Sequence, residues 1–550
     1  MHIQHKLLFA LLLTFGAQQL ALAQNPRELP TENVEIIKAF EADLLQSSKI
    51  NVNPTLPLLD TTTQRQRYVV PPRPLSVTYD APKLRPIGLK TVKVDDAYNG
   101  YAKLGGGVPA SIYGEGGYYF RSGEKFDGKA WFRHHSQSAA QSIENQKFFN
   151  NDALISANVY LPKNLAVEGK IGYGYDRVHY YGYNHDSIKY SDERTRQDFR
   201  TLDIGGRLYN SERTTGDINF SVAPNLYVLN DFYANRETGF DLNLTASKWF
   251  AEKHPLRLTI RTDLTNFNDT ATQRLNNIYL QPSFTYHTDF VKIKVGGNFA
   301  SNRDVFSIFP DVEVTLRVFG DGIQLFGGLS GDLRKNTYRS MSDYNPFLNI
   351  RGTKLRNTRY DNYYGGIKGD LGWLSYTGQA MYAKASDLVL YQAQFTNQGV
   401  DKPTITKFQA VYDTVRITNL QGTIKLVPIP ALTISGTISQ NILFEPANQA
   451  QVWGLPSTEG NFSALYSILE GKANLRGSVH IADGIWFKDA ENIAREGGIL
   501  ADLSVGGSYY FTDNIGAFLD VNNILNNRRE RWFQYPTFGT NFLVGVTARF

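Results

Sequence analysis

The stretch Leu256-Arg257-Leu258-Thr259-Ile260-Arg261-Thr262-Asp263-Leu264 alternates between apolar and polar side chains, with Thr262 the one departure on the apolar side. Successive side chains of an extended strand point to opposite faces, so this segment reads as a strand with one dry and one charged face. The same period of two runs through Leu432, Ile434, Gly436 and Ile438 against Thr433, Ser435, Thr437 and Ser439. It returns at the end of the chain, where Phe542, Val544, Val546, Ala548 and Phe550 alternate with Leu543, Gly545, Thr547 and Arg549. In a soluble sandwich the apolar face would be the core. Here the polar faces carry bulky charges and the dry faces are rich in Gly, Ala and aromatics, which suits strands with lipid on one side and a wet lumen on the other. A string of soluble β-sandwich domains is the rival reading.

Composition supports the membrane reading. At 550 residues the chain exceeds a usual single domain. Aromatics make up 13%, too many for disorder, and the absence of cysteine excludes disulfide staples, thiol nucleophiles and thiolate metal sites. The 57 Lys+Arg against 52 Asp+Glu leave a small positive excess with no long basic run, so nucleic acid is not an expected partner. Beyond the N-terminus no segment approaches the roughly 18 consecutive apolar residues of a membrane helix. A closed barrel is the other structure that can cross a bilayer, because it leaves no unpaired backbone in hydrocarbon.

Turn signals set the strand number. They fall at Gly123-Glu124, Pro162-Lys163-Asn164, Glu212-Arg213, Glu252 to Pro255, Thr288-Asp289, Gly320-Asp321-Gly322, Leu371-Gly372, Pro428 to Pro430, Glu470-Gly471 and Asp513-Asn514. Ten tight turns join twenty strands. A short strand within Tyr98 to Leu104, pairing toward Ser111 to Phe120, and a last one at Asn541 to Phe550 bring the expected number to about 22, within four either way. The expected fold is therefore an all-β transmembrane antiparallel barrel over residues 96–550. Longer connections fall near Asn184 to Arg194, Lys335 to Asn357, Thr396 to Lys402, Phe444 to Gly454, Phe487 to Gly497 and Asn526 to Pro536. They are long enough to shape an entrance and look too short to form an enclosed external domain.

The N-terminus reads differently. His2, His5 and Lys6 precede the apolar run Leu7 to Phe15, and Ala21-Leu22-Ala23 offers a small-x-small cleavage site. Residues 1–23 thus read as a secretory signal peptide, which implies export toward the cell outer membrane. Residues 24–95 hold nine prolines, among them Pro54, Pro57, Pro71, Pro72, Pro74, Pro82 and Pro86. Proline lacks the amide a ladder needs, so an extended segment lying on something else is expected.

Three segments carry a resemblance. VEIIKAFEADLLQSSKINVNPTLPLLDT from Val34, YVVPP from Tyr68 and AYNGYAKLGGGVPASIYGEGGYYF from Ala97 resemble the start of TonB-dependent receptor-like outer-membrane proteins of Bacteroidota type. The end, VNNILNNRRERWFQYPTFGTNFLVGVTARF from Val521, resembles the last hairpin of TonB-dependent receptor barrels. The resemblance implies 22 strands and a terminal strand, here Phe542, Val544, Val546 and Phe550, that serves as the membrane-insertion signal read by the barrel assembly machinery. Val34, Glu35, Ile36 and Ile37 resemble the short apolar box by which such receptors touch TonB, which implies a contact segment for TonB or another outer-membrane or periplasmic partner, with an ordinary apolar staple onto a partner or the barrel wall as the alternative. The chain departs from the family in lacking the standard plug domain. The proline-rich segment stands in its place as a reduced plug or a partner-binding arm.

Catalytic and metal signals are poor, and neither enzyme activity nor a cofactor is expected. His134 and His135 are adjacent on a predicted strand and face opposite sides, which is awkward for two ligands of one metal. Asp95-Asp96 falls in a solvated linker, and Gly105-Gly106-Gly107 reads as a place where the first hairpin packs closely. The clusters Tyr180-Tyr181-Gly182-Tyr183 and Tyr360 with Tyr363-Tyr364 read as aromatic girdles at the membrane surfaces, with stacking on a sugar-like ligand as the alternative. Three functions remain open: a barrel for solute passage or a component of an outer-membrane complex, an energised TonB-dependent importer with a reduced plug, and a non-transporting membrane scaffold.

Overall fold

The structure, a computed structural model, describes residues 98–139, 143–212, 214, 216–302, 305–395 and 405–550. The signal peptide, the proline-rich segment with Val34 to Ile37, and Asp95-Asp96 lie outside the described residues.

From Gly100 to Arg549 the chain forms one closed 22-stranded antiparallel sheet. Each strand pairs with its sequence neighbour in the sheet, and the first, Gly100–Val108, pairs with the last, Asn541–Arg549, from Tyr101 opposite Arg549 to Val108 opposite Phe542. The seam continues one residue further. The Gly100 amide donates to the Phe550 carbonyl at 2.7 Å, and the Phe550 amide donates to the Gly100 carbonyl at 2.9 Å. Every edge is thereby removed, which is the condition for lying in hydrocarbon. Close approach at the seam depends on Gly107, where a Cβ would stand 2.0 Å from the Phe542 carbonyl oxygen.

Nine of the ten expected tight turns join neighbouring strands at one end of the barrel, here the turn end, and the tenth, Glu212-Arg213, falls in part outside the described residues between two strands that pair there. Lys163 and Asn164 illustrate why these positions were readable. Both have positive φ, 65° and 59°, within a three-residue connection between the paired Leu161 and Leu165, and tight hairpin turns commonly need residues that accept this conformation. The opposite, loop end carries the longer connections among the described residues; the one expected at Thr396 to Lys402 lies outside them.

The faces follow the alternation. Leu256 and Leu258 point outward, as do Phe542, Val544 and Val546, the last three 50 to 58% exposed. Their neighbours turn into the lumen, where Arg261 lies 3.9 Å over the Tyr279 ring and reaches Asp332 at 3.2 Å. Lumen groups pair with one another: Arg133 with Asp152 at 2.6 Å, Lys294 with Asp311 at 2.5 Å, and Tyr101 with Glu115 at 2.6 Å. A row of exposed aromatics, including Phe250, Tyr286, Phe290, Phe319, Trp373, Phe511 and Phe550, rings the outer wall at the turn end. Rings that are part apolar and part polarisable are favoured where hydrocarbon meets head groups.

Candidate functional site: the closed loop end

Three connections at the loop end meet one another. They are residues 180–195, 336–356 and 523–540, which follow the fifth, thirteenth and twenty-first strands of the sheet. Around a cylinder of 22 strands these points are eight, eight and six strands apart. Strand spacing and tilt make such a cylinder roughly 40 Å across, so loops this far apart touch only by folding over the mouth.

They touch through aromatic rings. Tyr535 stacks on Phe347 with centroids 3.9 Å apart and meets Tyr181 edge-on at 4.8 Å, while Tyr181 meets Phe347 at 5.8 Å. Beside them Trp532 packs on Tyr391 and Phe408, and Tyr338, Met341, Leu348 and Ile350 complete one buried cluster. Tyr180, Tyr181 and Tyr535 are at most 8% exposed. Gly182 permits the approach, since a Cβ there would lie 2.4 Å from the Tyr535 ring.

Polar bonds fix the contact. The Tyr181 hydroxyl donates to the Pro536 carbonyl at 3.0 Å, the Tyr535 hydroxyl to the Thr406 carbonyl at 2.5 Å, and Thr406 to the Gln534 side-chain oxygen at 2.6 Å. Burial pushes the Tyr338 and Tyr535 phenols well above their ordinary range, so both remain neutral donors.

The middle loop is docked on the barrel wall by its helix, Tyr338–Tyr344, which Thr337 caps together with Ser340. Fully buried Glu237 accepts from the Tyr338 amide at 2.6 Å, the Arg339 amide at 3.1 Å and the Tyr227 hydroxyl at 3.0 Å. A carboxylate at the first free amides of a helix is a favourable pairing. Arg339 forks onto Asp203 at 2.8 and 2.9 Å, and the Tyr338 hydroxyl donates to Asp231 at 2.6 Å.

Two expectations need correction. Tyr180, Tyr181 and Tyr183 do not form a girdle; they are buried in or beside the loop cluster, because convergence of the loops gives these rings each other instead of lipid. Of the second cluster, Tyr363 is exposed on the outer wall as a girdle residue would be, whereas Tyr364 donates to Glu313 inside the lumen and Tyr360 packs on a buried group. The loops also do more than shape an entrance. Individually modest, residues 180–195, 336–356 and 523–540 share one core.

His134 and His135 do face opposite sides: His134 contacts Asn151 and Ser136, and His135 packs against Tyr113 and Phe148. Among the described residues no group of three or more His, Asp or Glu is placed to hold a metal ion. Phe550 stacks on Tyr118 at the seam.

No protein-family model and no curated protein matches the chain. Solved structures do. The FrpB iron transporter of Neisseria meningitidis superposes with a TM-score of 0.64 at 10% identity, covering 83% of this chain and 82% of that one. A ferric enterobactin receptor of Pseudomonas aeruginosa gives 0.57 at 11% identity, over 82% and 81%. The alcaligin outer-membrane receptor FauA of Bordetella pertussis gives 0.53 at 11% identity, over 82% and 76%. At such identities the likeness is one of fold: the chain builds a 22-strand barrel similar to those of outer-membrane iron transporters and siderophore receptors.

Proposed function

We propose that the protein is an outer-membrane barrel related to TonB-dependent receptors whose outer mouth is shut by its own loops, and that it passes solute only when those loops part. The observation that carries this is the Tyr181, Phe347 and Tyr535 contact, which joins three sides of the rim. A steady pore is incompatible with a dry aromatic cluster over its entrance. A mouth that must open points to gated uptake or to a partner that opens it, as in the importer and complex readings. In this proposal residues 1–23 direct export, residues 24–95 act as reduced plug or partner-binding arm, and Val34, Glu35, Ile36 and Ile37 touch TonB or another periplasmic protein. Phe542, Val544, Val546 and Phe550 serve as the insertion signal, consistent with the outward alternation of the last strand and its seam with the first.

Single-channel recording separates the readings. Protein lacking residues 25–94 is expected to stay silent while the loops are intact and to conduct steadily once Phe347→Ala and Tyr535→Ala are added. A large steady pore from the unaltered chain would contradict the closed mouth. Silence of the loosened, truncated barrel would favour the scaffold.

A further inference from the structure

The outer wall carries charge where lipid-facing residues give way to the loop end. On the strand Arg196–Asn210, the outward positions Leu202 and Ile204 are exposed and apolar, and the next outward positions toward the loops are Arg200, Asp198 and Arg196. The register extends this face sideways. Arg177 lies opposite Asp198, Tyr175 opposite Arg200, and Asn230 stands between Arg200 and Arg236. Four arginines thus share an outer face with Asp198, which is fully buried beneath them, and beside them Asp192 pairs with Lys147. Arg177 bonds it at 2.9 Å, Arg196 also bonds it, and Arg200 stands 3.6 Å away.

The guanidinium groups are held in place. Arg177 and Arg200 lie over the Tyr175 ring at 5.4 and 5.5 Å, Arg177 also over Phe149 at 5.7 Å, and Arg196 over Phe232 at 5.0 Å. Asp198 and Asp192 together cannot neutralise the four arginines and Lys147. Arg200, with Arg236 level with it across Asn230, sits one pleat repeat, about 7 Å along the strand, from the hydrocarbon-facing Leu202, and Arg177 and Arg196 follow toward the loops. Charge at that depth is costly unless matched by an anion of the same layer, and planar arginine forks suit phosphate oxygens.

We propose that Arg177, Arg196, Arg200 and Arg236 form a binding site for the phosphate groups of a phosphorylated outer-leaflet glycolipid, with the rings of Tyr175, Phe149 and Phe232 beside the head of its acyl chains. The site rests on the outer-membrane reading, in which the loop end faces outward. Asp198 acts as the positioning residue that draws the arginines together.

The test uses the full chain, purified in detergent, titrated with diphosphorylated lipid A, with the same lipid stripped of phosphate, and with inorganic phosphate, and read by native mass spectrometry. Unaltered protein is expected to retain the phosphorylated lipid and to lose it when the phosphates are removed. Arg200→Gln alone, which leaves the closer Arg177 and Arg196 bonds to the carboxylate intact, should weaken retention roughly fivefold, and Arg177→Gln with Arg200→Gln by roughly that factor for each charge. Equal retention by these variants, or by the stripped lipid, would overturn the proposal. Inorganic phosphate displacing the lipid at comparable concentration would show a free-anion site and overturn the lipid assignment. Faster migration of unheated than of boiled protein reports the barrel separately, so a chain that fails this control refutes the membrane reading itself.

Discussion

Replacing Tyr535 with alanine is expected to unlatch the loop end while leaving the barrel folded. The ring is almost wholly buried, stacks on Phe347, meets Tyr181 edge-on and lies near Phe408. Truncating a buried aromatic costs about 3–5 kcal/mol through lost contacts and the void left behind. Tyr535→Ala also strands the Thr406 carbonyl, which accepts from the Tyr535 hydroxyl. That stability belongs to loop docking, because the 22 strands are closed by backbone bonds that do not involve the loops. Proteolysis of intact cells should therefore cleave residues 523–540 in Tyr535→Ala and spare them in the unaltered protein, with heat-dependent migration unchanged. Tyr535→Phe removes only the hydroxyl and should cost about 1–3 kcal/mol, the penalty of one unsatisfied buried acceptor.

Glu237→Ala is the second large effect. The carboxylate is the sole acceptor shown for the Tyr338 and Arg339 amides and also takes the Tyr227 hydroxyl. Its removal leaves three donors without a partner, at about 1–3 kcal/mol each when buried. Because the Arg339 amide can find water once the helix lifts, a net loss of about 3–4 kcal/mol is expected, a factor of about 10² to 10³ in docking. Hydrogen exchange of the 338–345 amides should accelerate by that factor. Asp203→Ala, which removes only the half-exposed fork with Arg339, should change it by tenfold or less. Equal acceleration in the two variants would show that the helix is held by its fork and not by the buried carboxylate.

Much of the barrel was legible because its determinants are local. A strand declares itself by alternation within nine residues, as Leu256 to Leu264 does, and a tight turn by one or two residues that tolerate positive φ, as Lys163-Asn164 and Gly320 do. The seam was legible too, since Phe542 to Phe550 keeps the outward alternation to the last residue. The loop cluster was not. Tyr181, Phe347 and Tyr535 are separated by well over a hundred residues each and become neighbours only because a closed cylinder brings distant rim positions over one mouth. A tyrosine-rich run has the same composition whether it faces head groups or other loops, so Tyr180 to Tyr183 read as a girdle. The helix at Tyr338 had a weak signal in Thr337-x-x-Ser340, a capping pair lacking the usual Glu or Gln. Its carboxylate partner, Glu237, lies 101 residues away on another strand and had no local signature.

The central claim is that loops from different sides of the rim meet, and cysteine cross-linking tests it most directly. The chain contains no cysteine, so an introduced pair is unique. Thr406 and Gln534 follow strands six apart in the sheet, yet their side chains hydrogen-bond at 2.6 Å. In Thr406→Cys with Gln534→Cys, a short bifunctional maleimide applied to intact outer membranes should join the two positions nearly completely, giving a covalent loop visible by its altered migration under denaturing conditions. Trp453→Cys with Trp486→Cys, whose backbones are already bridged, serves as the positive control. Efficient linking of the control pair with none between 406 and 534 would mean that the mouth stands open and that the closed loop end is wrong.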